Sequence, residues 1–140
     1  MKKVLLALLL LVGVSLHAQE ISIIPKPAEM QIEEGEFSFN GKVVLCYPKI
    51  KDDGIDAVVD NFVREIKKTT GVKLVKDRLK DGLFLSFHVE EVAKEGDAHI
   101  VLYIDEYMGK EAYRLSVTPK RINIAAATPA GFFYAFQTLK

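Results

Sequence analysis

In AYRLSVTPKRINIAAATPAGFFYAFQTLK, residues 112–140, two alternating apolar runs face each other across a proline turn, and a helix start follows the second run almost at once. Tyr113, Leu115 and Val117 point one way along the first run. Thr118 to Lys120 turn the chain, with Pro119 preset for a type I turn, and Ile122, Ile124 and Ala126 answer on the second run. Thr128 is a suitable N-cap and Pro129 a suitable first helical residue. Strand, turn, strand and helix in so few residues require a sheet with at least one helix laid on it.

The rest of the chain extends this pattern. DDGIDAVVDNFVREIKKTTG predicts a helix whose buried face carries Ile55, Val58, Val59, Phe62 and Ile66. Asp52 or Asp53 can cap it, Lys67 and Lys68 suit its negative end, Gly71 supplies the exit, and Asp60 and Arg64 are spaced for a surface pair. Strands are expected at about Ser22–Ile24, Glu29–Ile32, Leu83–Val89 and Ala98–Ile104. Phe37 and Phe39, then Asn40-Gly41, then Val43, Leu45 and Tyr47 predict a further hairpin with a type I′ turn. The expected architecture is one α+β domain, a mainly antiparallel sheet with two helices packed on one face.

Before the domain, Lys2 and Lys3 precede an apolar run from Val4 to about Leu16, the layout of a secretory signal peptide cleaved after Ala18. The run is shorter than the roughly 20 apolar residues of a membrane span. The expected products are a signal at 1–18 and a mature domain at 19–140, exported to the periplasm, cell surface or medium, with no stable span after cleavage. Losing two lysines from 19 basic and 19 acidic residues leaves a slight acidic excess, which argues against a nucleic-acid partner. Cys46 is the single cysteine, so no intrachain disulfide forms, and its place in KVVLCY marks it as a core residue rather than a reactive thiol.

No catalytic constellation is legible. His17 belongs to the leader, His88 lies in a strand pattern, and His99 shares only D-x-H with Asp97. The pairs Asp52-Asp53 and Glu90-Glu91 read as solvated turn charges, and Ser86, Ser116 and Thr69 have no nearby base in a recognised arrangement. Isolated glycines give no phosphate loop. No catalytic, cofactor-binding or metal residue is assigned, and no cofactor is expected. The residues alone describe an exported binding or supporting module.

Three stretches then resemble a known family. IIPKPAEMQIEEGEFSFN opens like bacterial β-N-acetylhexosaminidases of glycoside hydrolase family 20, and Y-x-L-x-V, I-x-I-x-A and G-x-F-Y-x-x-Q-T-L close like their N-terminal domain. The resemblance implies a non-catalytic domain preceding a β/α barrel that is absent here, so the chain looks cut at a domain boundary. In the family a barrel glutamate protonates the leaving oxygen, while an aspartate orients the substrate's own 2-acetamido group for attack. Neither role falls on a residue of this chain. Gly131, Phe132, Tyr134, Gln137, Thr138 and Leu139 fall within the closing motif and are assigned packing and domain contact. The implied partners are the parent's own barrel and, through it, glycans bearing N-acetylhexosamine. Two alternatives remain: a free-standing carbohydrate-binding or interaction domain using Phe133 and Tyr134 as a platform, or the leading domain of another barrel glycosidase, such as an α-glucuronidase or a hyaluronidase-like enzyme.

Overall fold

The computed structural model describes residues 28–32, 34–49, 54–79 and 97–140. Among these residues five strands form one sheet: β1 (Val43–Pro48), β2 (Val75–Leu79), β3 (Ala98–Ile104), β4 (Tyr113–Val117) and β5 (Arg121–Ala126). Helix α1 (Gly54–Thr70) joins β1 to β2, and helix α2 (Pro129–Thr138) follows β5. The strand order is β2-β1-β3-β5-β4.

The sheet is mostly parallel, which corrects the expectation of a mainly antiparallel one. β1 pairs parallel with β2 and β3, and β3 pairs parallel with β5. Only β4 and β5 pair antiparallel. The cause lies in how the strands are buried. Val43 to Tyr47 and Ala98 to Leu102 are buried at every position, and burial on both faces is the condition under which parallel strands are found. A parallel pair also needs a crossover, which α1 supplies between β1 and β2.

The Asn40-Gly41 hairpin does not form, because β1 is taken on both edges by parallel partners and no strand precedes it at 36–40. Gly41 has a φ of 64°, but Asn40 is not at positive φ, so the type I′ geometry is absent. Phe37 and Phe39 still pack against the core, edge to face at 5.2 Å. Residues 29–32 are not a strand either, and Met30 and Ile32 are exposed. The hairpin around Pro119 forms in the expected register, with Tyr113 opposite Ala126, Leu115 opposite Ile124 and Val117 opposite Ile122. The strands expected at 22–24 and 83–89 lie outside the described residues, as does the leader.

Both helices cover one face. Ile55, Val59, Phe62 and Ile66 of α1 and Phe132, Ala135 and Phe136 of α2 meet Val43, Leu45, Ile100, Leu102, Ile122 and Ile124 of the sheet. Phe62 and Phe136 stack with centroids 4.0 Å apart and planes 7° apart, tying one helix to the other. Burying each such ring is worth about 1.5–3 kcal/mol. The opposite face carries a smaller buried cluster of Val44, Cys46, Leu79 and Val101, with Tyr103 against it. Edge strand β2 is highly charged for a strand. Its Lys76 and Arg78 pair with Asp60 and Asp56 of α1, and such charges keep an open edge from pairing with other chains.

Candidate functional site

Two surfaces have a composition beyond what folding needs: the outer side of α2, and the carboxyl ends of β3 and β5. Both depend on the connection of residues 105–112, which must pass over the end of β5 to reach edge strand β4. That connection is pinned at several points. The Asp105 N–H donates to the Ala126 carbonyl at 3.1 Å, the Ala112 N–H to the Gly109 carbonyl at 3.0 Å, and the Thr128 hydroxyl to the Lys110 carbonyl.

Thr128 caps α2 as expected, accepting from the Gly131 N–H at 3.3 Å from an extended backbone, with Pro129 at the first turn. Gly131 is where the helix touches the connection. A Cβ there would lie 2.5 Å from the Ala112 carbonyl oxygen and 2.8 Å from the Ala126 Cβ. At the far end the hydroxyls of Tyr113 and Thr138 are 2.7 Å apart.

The closing-motif residues therefore divide by role. Gly131 and Phe132 are buried, Leu139 packs on the core edge, and Thr138 ties the helix to β4. Phe133 is 40% exposed and meets the half-buried Tyr134 edge to face at 5.7 Å. Nothing charged stands in the first or last turn of α2, so its open side, with Ala130, Phe133, Tyr134 and Gln137, is an uncharged strip.

At the strand ends, Tyr103 of β3, Ala125 of β5 and Arg114 of β4 sit side by side in register. Residues directly opposite share a face, so Ala125 leaves a gap between two long side chains. The resulting open hollow of about 510 Å³ is lined by Tyr103, Ile104, Asp105, Glu106, Tyr107 and Ala125. Arg114 reaches Asp105 at 3.9 Å, and the Tyr103 hydroxyl donates to the Asn123 amide oxygen at 3.2 Å. Burial pushes the Tyr103 phenol above its ordinary range. Asp105 also accepts from the Tyr107 N–H at 3.2 Å, and the Tyr107 ring is fully exposed. Sequence reasoning missed this group. Its signal was the run Y-I-D-E-Y at the end of an apolar strand.

The residues weighed in the sequence do not converge. Cys46 is fully buried, and its thiol is pushed up to about 11 by burial and by nearby Asp77. His99 stands in β3, 4% exposed, with Nε2 lacking a hydrogen-bond partner, and burial together with Arg121 holds its imidazole below the usual range. Asp97 pairs with Lys42 at 2.9 Å. Asp60 engages Lys76 rather than Arg64, whose guanidinium bonds to Asn61. Thr69 donates to the Glu65 carbonyl, and Ser116 is exposed on β4. His17, His88, Ser86, Asp52-Asp53 and Glu90-Glu91 lie outside the described residues. Among the described residues no helix is long and apolar enough to cross a membrane.

The model of glycosyl hydrolase family 20, domain 2, matches residues 20–140. The fold is similar to that of an exo-β-N-acetylglucosaminidase of this family from Vibrio harveyi, solved with N-acetylglucosamine, at 18% identity and a TM-score of 0.59 over 84% of this chain. It is also similar to the β-N-acetylhexosaminidase from Bacteroides fragilis NCTC 9343, at 25% identity and a TM-score of 0.51, again over 84%. The chain spans 15% of the length of the first and 20% of the second.

Proposed function

This chain belongs to domain 2 of glycosyl hydrolase family 20, and from that membership we propose that it is the non-catalytic N-terminal domain of an exported β-N-acetylhexosaminidase. The parent enzyme would release terminal N-acetylhexosamine from glycans through a substrate-assisted mechanism carried by a separate barrel. The observation that carries the reading is the match over residues 20–140 to a domain family defined within these hydrolases. In this role α2 supplies the surface for the barrel. It carries the uncharged strip with Phe133, while Phe132 and Phe136 on its inner side bind it to the sheet. Export follows from the leader, whose two lysines and apolar run fit a signal peptide.

A chromogenic N-acetyl-β-glucosaminide tests the assignment. The chain alone should give no turnover above buffer, whereas its reading frame extended to include a family 20 barrel should give a rate. Turnover by the isolated chain would overturn it. Phe133→Asp should lower the thermal stability of the extended protein while leaving that of the isolated chain nearly unchanged. Equal effects in both would remove α2 from the interface.

A further inference from the structure

We propose that the hollow over Ala125, lined by Tyr103, Asp105, Glu106 and Tyr107 with Arg114 beside it on β4, is a binding site for a neutral hexopyranose unit. It lies at the carboxyl ends of parallel strands, where backbone ends and connecting loops leave crevices in open sheets. The gap has a structural cause: alanine stands in register between a tyrosine and an arginine, and the connection to β4 arches over its end. The volume of about 510 Å³ is in the range of small-ligand sites.

The lining selects the ligand chemistry. A pyranose presents one apolar C–H face and a rim of hydroxyls, each both donor and acceptor. Tyr107 offers a fully exposed ring on a loop whose backbone is tied by the bond from the Tyr107 N–H to the Asp105 carboxylate. An aromatic face of this kind covers the apolar side of a sugar while its hydroxyl stays wet. Asp105 and Glu106 accept, and the Arg114 guanidinium beside Asp105 can donate. Arg114 lies 3.9 Å from Asp105 and offsets one of the two carboxylate charges, so vicinal hydroxyls can use acceptor and donor together. The pinned connection keeps the backbone of residues 105–112 in place without a ligand, which lowers part of the ordering cost of binding.

The uncharged strip on α2 is a poorer sugar platform, because Phe133 and Tyr134 use each other as edge-to-face partners and α2 has no charged group in either end turn to hold hydroxyls. The inference does not depend on the proposed supporting role, since binding is read without a barrel and without turnover.

The test is an amide-resolved NMR titration of the chain with three probes: chitotriose, cellotriose and the cationic glucosamine trimer. Saturable shifts are expected for both neutral trimers at residues 103–107, 114 and 125. Tyr107→Ala should weaken binding by roughly tenfold or more, the scale of losing one aromatic anchor, with an unchanged melting curve because the ring touches solvent only. No saturable shift with any probe would overturn the proposal. So would shifts confined to α2, binding of the cationic trimer alone, or full affinity in Tyr107→Ala.

Discussion

Gly131→Ala is the substitution whose outcome depends most directly on how α2 is seated. On helix propensity alone it should help, since alanine is favoured over glycine by about 1 kcal/mol in a helix interior and less in the first turn. The structure reverses that sign. The new methyl would meet the Ala112 carbonyl oxygen at 2.5 Å and the Ala126 Cβ at 2.8 Å, and neither a carbonyl nor an alanine has a rotamer into which to retreat. Ordinary contact begins at 3.4 Å, so the helix start must lift by roughly 1 Å, the difference between 3.4 and 2.5. Lifting it loosens Phe132 and Phe136 in the core and lengthens the 3.3 Å bond from Gly131 to Thr128. Overpacking of this kind costs about 1–3 kcal/mol, and close atom pairs lose much of their attraction over such a gap. The net expectation is about 0.5–2.5 kcal/mol of destabilisation after the propensity gain is allowed for. At about 4–8 °C per kcal/mol for a domain of this size, the melting temperature should fall by roughly 2–20 °C. Circular dichroism melts of the chain read this directly, with Ala130→Gly at an exposed neighbour as the propensity control. A melting temperature equal to or above that of the parent would refute the close seating of α2 on residue 112.

His99 gives a pH prediction. Its imidazole is held below the ordinary range in the fold by burial and by Arg121, so the unfolded chain binds its proton more readily. Its contribution is therefore complete above pH about 6.5 and is lost as pH falls from there toward the folded value. Urea midpoints at pH 7.5 and 5.0 should differ less in His99→Gln than in the parent, and equal differences would remove His99 as the cause. Cys46, buried and with its thiol raised to about 11, should not react with a disulfide reagent at pH 8 until the chain unfolds. Cys46→Ser should cost about 1–3 kcal/mol for the unpaired hydroxyl, read as a lower urea midpoint. Phe136→Leu keeps the position apolar but removes the stack on Phe62, so about 0.5–1.5 kcal/mol beyond the lost area should disappear in the same assay.

What was legible in the sequence and what was not follow from the range over which each signal acts. The β4–β5 hairpin and the start of α2 are written in adjacent residues, in the alternation around Pro119 and the pair Thr128-Pro129, and both appear where local chemistry puts them. Strand direction is decided by partners far along the chain. Alternation in Phe37, Phe39, Val43, Leu45 and Tyr47 says which face each side chain takes, but not whether the neighbouring strand runs the same way. The available cue was the near-continuous apolar run in VVLCY and HIVLY, which fits strands covered on both faces, as these are, and hence parallel pairing. β2 was hidden for the opposite reason. VKDRL has three charged residues in five, and two of them, Lys76 and Arg78, are met by Asp60 and Asp56 of α1, a tertiary fact with no local trace. The hollow over Ala125 belongs to the same class. Tyr103, Arg114 and Ala125 become neighbours only once β5 inserts between β3 and β4, so a site built across a strand insertion is read from the sheet order and not from spacing in the chain.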